Sequence, residues 1–508
     1  MGGNFMNIKR TKEEIKNTIE AYLRKDSYGT YEIPSIRQRP IFLLGSPGIG
    51  KTQIMEQISR ECKIGLVAYT ITHHTRQSAI GLPFISKKQY QSVEFAVTEY
   101  TMSEIIASIY EKMEQTGLRE GILFLDEINC VSETLAPAML QFLQCKSFGN
   151  HKIPEGWVIV AAGNPPEYNR SVREFDVVTL DRVKKIEVEA DFEVWKEYAY
   201  RQGIHGAVIS YLNIKKQNFY QMETTVDGRH FATPRGWEDL SHLIQVYEKM
   251  GKTVDREVVV QYIQFPQIAK DFANYLELYR KYHTDYRIEE ILKGNLDKVM
   301  LKKVAHASFD ERLSVLGLLL SRIHEILKSV VQKEDYLERL QACLLEYKKQ
   351  AELKPEETDG QKKMTELLRE YNEDYKKLKK AELLDSQTQR QYHSVLDSLS
   401  EFELVLILED IGDRREAFSR IKELFEEKNQ TFENEFGQAS KTLEYVFDFL
   451  EGAFGNSQEM VMFITELNSN SHCVSFLQEY ECERYYYYNK ELLFDDKRKN
   501  LLHRISDL

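Results

Sequence analysis

The chain lacks a basic excess. Among its 508 residues, 68 Lys and Arg stand against 80 Asp and Glu, a formal net charge of −12. Binding to the phosphates of a duplex needs a positive field, so the charge argues against nucleic acid as partner. The chain also lacks an apolar run of the ~20 residues that cross a bilayer. The longest, LSVLGLLLSRI near residues 313–323, is well short of that, and no charged-then-apolar leader opens the sequence. A soluble cytoplasmic protein with no membrane insertion is expected. The cysteines (Cys62, Cys130, Cys145, Cys343, Cys473 and Cys482) lie far apart with no CxxC pair, which argues against a disulfide framework or a zinc site. The one Cys/His cluster, HCVSFLQEYEC, reads as a helix with Cys473 and Cys482 partly buried. Met6 stands where a myristoylation signal after Gly2 would need Ser or Thr, and no period of 20 to 50 residues marks a repeat protein.

Apolar residues make up 42% of the chain, enough at this length for more than one packed core. Residues 1–37 read as a polar helical segment, KRTKEEIKNTIEAYLRKD, and a turn. From 38 to 189, short apolar runs (IFLL, LVAYTIT, GILFL, WVIVAA and KKIEVE) alternate with helical stretches, the pattern of an α/β fold in which helices cover a parallel sheet. Residues 190–300 turn helical, with Trp237, Leu240, Ile244 and Tyr247 at helical spacing, and predict an all-α lid. Residues 301–508 predict a helical C-terminal region. Within it, a helical hairpin spans about 318–385, broken at Pro355 and resumed through Met364, Leu368 and Tyr371. The row Tyr485–Tyr488 would point all round a helix, which favours packing over a ligand site.

Three strand ends carry the chemistry. IFLLGSPGIGKTQIMEQISRE, residues 41–61, is a strand, a GxxxxGKT loop and a helix. Gly45, Gly48 and Gly50 free the backbone to turn its amides onto an anion at the helix N-terminus. Lys51 then reaches the β and γ phosphates, and the Thr52 hydroxyl suits Mg²⁺. The expected nucleotide-binding set is Gly45, Ser46, Pro47, Gly48, Ile49, Gly50, Lys51, Thr52 and Gln53. GILFLDEIN ends in Asp126, suited to the metal shell, and Glu127, suited to the base that orients water. GWVIVAAGNPPEYNR ends in Asn164. Strands of one parallel sheet deliver their carboxyl ends to one crevice, so Asn164 is expected beside the γ phosphate, with Pro165 and Pro166 halting the strand.

Together these stretches resemble the AAA+ ATPases, and within them the MoxR-like branch, from about residue 38 to 290. GSPGIGKT is similar to Walker A, ILFLDEIN to Walker B and AAGNPP to the sensor-1 strand. VTLDRVKKIEVE resembles the arginine-finger segment and FATPRGWEDL the sensor-2 helix, so the resemblance assigns those roles to Arg182 and Arg235. At the second of these, Thr233 can cap a helix and Pro234 can open it, leaving Arg235 as a cation at the positive end, where a triphosphate would offset the cost. For Arg182 a salt bridge with Asp181 or Glu174 is the rival reading. SAIGLPFISKKQYQSVEF and FLQCKSFGNHKIPEGW resemble the branch's two insertions, with a hairpin expected at Gly149 and Asn150. Cys130 departs from the pattern, since many relatives carry Arg there.

The resemblance implies an ATP hydrolase using ATP and Mg²⁺ and acting as a ring, expected to be a homo-hexamer because a finger in trans needs one. Its role would be chaperone-like remodelling, maturation or activation of a protein client, with a von Willebrand factor A domain protein as partner. Two alternatives remain at this point: a nucleotide-gated assembly switch with slow hydrolysis, and an AAA+ motor on nucleic acid, which the acidic charge counts against.

Overall fold

The computed structural model describes residues 5–490 except 74, 92, 169–171, 173, 227 and 354–358. The chain divides into two compact units, Met1–Val194 with Glu373–Gln389, and Trp195–Asn372 with Arg390–Leu508.

In the first unit the chain runs through β1 (Phe5–Asn7), α1 (Ile8–Leu23), β2 (Ile41–Gly45), α2 (Lys51–Cys62), β3 (Gly65–Thr70) and α3 (Arg76–Ile80). A hairpin of β4 (Pro83–Tyr90) and β5 (Val93–Tyr100) follows, then α4 (Glu104–Thr116), β6 (Gly121–Asp126) and α5 (Ala136–Cys145). A short hairpin, β7 (Ser147–Phe148) and β8 (His151–Lys152), precedes β9 (Trp157–Gly163), α6 (Val177–Leu180) and β10 (Lys184–Glu189). Six strands form one sheet in the order β1-β10-β2-β9-β6-β3, every pair parallel. The five apolar runs of the sequence are β2, β3, β6, β9 and β10. The sixth strand, β1, is three residues long and too short for a pattern; pairing of Phe5–Asn7 with Glu187–Glu189 makes it a strand.

The apolar runs are continuous because helices cover both faces: β9 is buried at every position and β6 at all but its last. Ile105, Ile106 and Ile109 of α4 join Leu123, Leu125, Phe142 and Trp157 in one core. Each such side chain contributes about 1.5–3 kcal/mol on burial. Register then fixes the functional edge. Leu44 pairs with Gly163, Leu125 with Ala161, and Thr70 with Asp126, so the loops after β2, β9, β6 and β3 leave from one rim. Of the two hairpins, β7–β8 turns at Gly149, whose φ is +55°, and its His151 Nε2 meets Tyr100 O of β5 at 3.0 Å.

The second unit begins within α7 (Phe192–Gln202) and continues through α8 (Gly206–Ile214), hairpin strands β11 (Gln221–Thr225) and β12 (Gly228–Ala232), α9 (Pro234–Lys249), α10 (Arg256–Tyr262), α11 (Pro266–Asp285), α12 (Ile288–Leu292) and α13 (Lys298–Ala305). The expected helical face of α9 is buried at Trp237, Leu240 and Ile244. β11 and β12 interrupt the helical pattern, with Gly228 at φ +133° beside the turn. The longest described helix, α14 (Phe309–Leu353), has 45 residues, about 68 Å at 1.5 Å per residue. α15 (Gly360–Lys380), α16 (Ser386–Leu408) and α17 (Arg414–Phe454) follow, then α18 (Gln458–Ser469) and α19 (Ser471–Glu479). Pro355 lies outside the described residues. The helical hairpin does not bury its apolar faces alone: Leu340, Leu344 and Tyr347 of α14 and Met364 and Leu367 of α15 share a core with Val395, Leu399 and Phe402 of α16 and Ala417 and Ile421 of α17. The first unit is thus a parallel α/β core covered by helices, and the second is helical through its C-terminal helices, except that the β11–β12 hairpin makes residues 190–300 not all-α as expected.

Candidate nucleotide site

The loop from β2 to α2 owes its shape to three glycines, for two different reasons. Gly48 and Gly50 sit at φ +77° and +93°, the left-handed region that side chains avoid. Gly45 is needed for room instead: a Cβ there would stand 2.7 Å from Val188 O and 3.0 Å from Ile49 Cδ1. Gly50 is the N-cap of α2 and brings no side chain to cap its first turn, the kind of helix start that takes an anion.

Lys51, only 9% exposed, donates from Nζ to Gly45 O at 2.6 Å, Ser46 O at 2.8 Å and Asn164 Oδ1 at 2.9 Å. The ammonium therefore joins the loop to the end of β9. Thr52 Oγ1 donates to Asp126 Oδ2 at 3.2 Å, joining the first turn of α2 to the end of β6. A hydroxyl and a carboxylate are the hard oxygen donors that Mg²⁺ takes alongside phosphate, so these two residues fit that ion. Ser46 Oγ also donates to Tyr168 Oη at 3.1 Å.

Glu127 lies at φ +56°, a left-handed position that a side-chain residue holds only when its surroundings fix it. Its N–H donates to Asp126 Oδ1 at 2.9 Å, and its Oε2 accepts from Thr72 Oγ1 at 2.9 Å. Asn129, in the turn Ile128–Cys130, is 4% exposed. Its Nδ2 donates to Asn164 O at 2.8 Å and its Oδ1 accepts from Asn164 N at 3.3 Å.

Arg182 is exposed just past α6 and donates from Nη1 to Gln144 Oε1. It forms an ion pair with neither Asp181 nor Glu174. Asp176 caps α6 through Thr179 N at 2.7 Å. That capping, chiefly through Thr179 and more weakly through the charge of Arg182, holds the Asp176 carboxyl below its usual range. Arg235 belongs to the second unit. There Thr233 Oγ1 accepts from Gly236 N at 3.2 Å and Pro234 opens α9, the local arrangement its sequence predicts.

Residues 40–183 match the model of the AAA domain, dynein-related subfamily. The match spans the sheet from the start of β2 to the start of β10 and supports an AAA+ P-loop ATPase domain. Among solved structures the chain is similar to NtrX from Brucella abortus in complex with ADP, at 14% identity and a TM-score of 0.28, over 50% of this chain and 52% of that one. It is similar to a lysine-to-arginine mutant of Thermotoga maritima RuvB at the same identity and score, over 56% of this chain and 78% of that one. The chain thus spans about half the length of the NtrX chain. No curated protein gives a significant match.

Within the stretch that matches the AAA model the structure brings Lys51, Thr52, Asp126, Glu127 and Asn164 to one edge, with Arg182 in the same unit and Arg235 in the other. Sequence reasoning missed Thr72, Asn129, Tyr168 and Gln144. Thr72 follows the carboxyl end of β3, so the rule that selects Asn164 could have selected it. Asn129 closes the DEIN stretch, where only its buried side chain distinguishes it from an ordinary turn asparagine.

Proposed function

We propose that the chain is a Mg²⁺-dependent AAA+ ATPase of the MoxR-like kind that works as a ring and remodels, matures or activates a protein client. The observation that carries this reading is the contact of Lys51 Nζ with Asn164 Oδ1 at 2.9 Å beside Thr52 and Asp126 at 3.2 Å. It gathers a cation, a metal-type oxygen pair and an amide at the mouth of a phosphate loop. Thr52 and Asp126 would hold Mg²⁺, which neutralises charge on the phosphates. The α2 amides and Lys51 bind and orient the phosphates, Glu127 takes the proton of the attacking water, and Asn164 holds that water through its amide. Arg182 is the candidate finger toward a neighbouring subunit: it is exposed and, among the described residues, anchored by the neutral Gln144, and such a finger contributes ~10³ to 10⁵ in rate. A hexamer, a client and a von Willebrand factor A domain partner are part of the proposal through the family resemblance, to which the β4–β5 and β7–β8 hairpins add support.

A second reading, an assembly switch with slow turnover, draws on one observation: Glu127 is hydrogen-bonded to Thr72. Calorimetric titration of Mg-ATP and phosphate release, both measured against protein concentration, test the pair. Lys51→Ala is expected to lose binding, and Glu127→Gln to bind normally and turn over ~10² to 10⁴-fold more slowly. Arg182→Ala should abolish the rise of specific activity with concentration. Absence of heat from folded wild-type protein refutes the proposal, and parental turnover by Glu127→Gln refutes the base.

A further inference from the structure

We propose that Asn129 is the positioning residue that sets Asn164 against the phosphate site and couples it to Glu127. This rests on the reading of the site as an ATPase centre.

The case starts from a gap in the sheet. The last rung between β6 and β9 pairs Leu125 with Ala161, so the main chain of Asn164 has run past its neighbour strand. A buried peptide group left without a partner is costly. Asn129 supplies the missing rung with a side chain: its amide donates to Asn164 O at 2.8 Å and accepts from Asn164 N at 3.3 Å. A side-chain amide has the donor and acceptor of a peptide group, and this pairing admits one orientation only, because the flipped amide would set donor against donor. The fit is tight on the other side too. A Cβ on Gly163 would stand 2.5 Å from Asn129 Oδ1, so glycine before Asn164 is the counterpart of asparagine at 129.

The consequence is positional. With both main-chain atoms of Asn164 held, its side chain is aimed, and its Oδ1 accepts from Lys51 Nζ at 2.9 Å. Asn129 stands two residues after Glu127 in the same turn. A shift of the turn that carries the base therefore moves the residue that holds the water. Among the described residues Asn129 hydrogen-bonds to neither Thr52 nor Asp126, and its effect passes through Asn164.

The test is a double-mutant cycle on the full chain: Asn129→Ala, Asn164→Ala and the pair, each read for Kd of Mg-ATP by calorimetry, kcat and KM by phosphate release, and thermal midpoint. Misplacing a reacting group by ~1 Å costs on the order of 10²-fold. We expect Asn129→Ala to lower kcat ~10 to 100-fold with Kd within ~3-fold of the parent, and the double variant to be no slower than Asn164→Ala. Asn129→Asp, which keeps the acceptor and loses the donor, should behave like Asn129→Ala. If Asn129→Ala does not fold, Asn129→Ser is read by the same criteria. Parental kcat in a folded variant, or a double variant that multiplies the two single losses, overturns the proposal. A wild-type chain that neither binds nor hydrolyses Mg-ATP instead overturns the ATPase reading on which it rests.

Discussion

Thr72→Val should speed hydrolysis. The sheet order supplies the reason: β3 is the edge strand beyond β6, while β2 with its phosphate loop lies on the other side of β6, across β9. Thr72, in the turn after β3, donates to Glu127 Oε2 at 2.9 Å, which draws the carboxylate outward from the loop. On the proposed reading Glu127 turns inward to take a proton beside the γ phosphate, and that turn breaks the bond. A hydrogen bond to a charged group contributes about 1.5–3 kcal/mol. At this exposed pair, competition from water lowers it to about 1 kcal/mol, so removing the hydroxyl should raise kcat about 5-fold. Valine keeps the shape of threonine, and the position is exposed, so the fold should not respond. Steady-state phosphate release at saturating Mg-ATP measures the effect, and the same substitution in a Glu127→Gln background should do nothing. A several-fold fall in kcat at unchanged Kd would refute the reasoning, because the bond would then be orienting the base rather than holding it away.

Two further substitutions test packing and charge. Gly45→Ala pushes a methyl to 2.7 Å from Val188 O, a backbone atom of β10 that cannot swing aside; a loss of about 1–3 kcal/mol in urea unfolding is expected, and an unchanged midpoint would contradict it. In the second unit, His324 is buried with both ring nitrogens unpartnered among the described residues, and burial pushes its pKa down to about 3. The unfolded imidazole takes its proton near 6.5, so between 6.5 and about 3 the unfolded state binds more protons, and stability falls as pH falls through that window. His324→Phe, which can keep the edge contact with Tyr200, should remove a loss on the order of 2 kcal/mol between ~pH 7 and ~pH 5; an identical pH slope in both proteins would sink this.

What the sequence makes legible follows the range of each interaction. The strands and their order of use are local patterns, and Asn164 can be placed because parallel strands share an edge. Gly45 reads from the sequence as a residue that frees the backbone, whereas the structure requires it for room beside Val188, a neighbour remote in sequence. Thr72 meets Glu127 across 55 positions and Asn129 meets Asn164 across 35, and no periodicity records such pairings. In the helical region the apolar spacing of α14 and α15 shows that each has a face to bury, but not that α16 and α17 complete the cover. β1 and the β11–β12 hairpin are too short to outvote the helical pattern around them.

The state of Lys51 bears on how tightly nucleotide can bind. A buried ammonium is stable only when its hydrogens find acceptors, and here Gly45 O, Ser46 O and Asn164 Oδ1 provide three. A phosphate drawing on Lys51 must therefore displace some of these bonds rather than meet a bare charge, which makes binding weaker than a count of cradle contacts suggests. Under the proposed function the same exchange would give the site a means of sensing. When Lys51 turns to phosphate, Asn164 loses its donor while Asn129 still holds its main chain, so the freed amide is left aimed where water would attack. On that reading, binding of phosphate and readiness of the amide would be one event, set by a single ammonium shared between two loops.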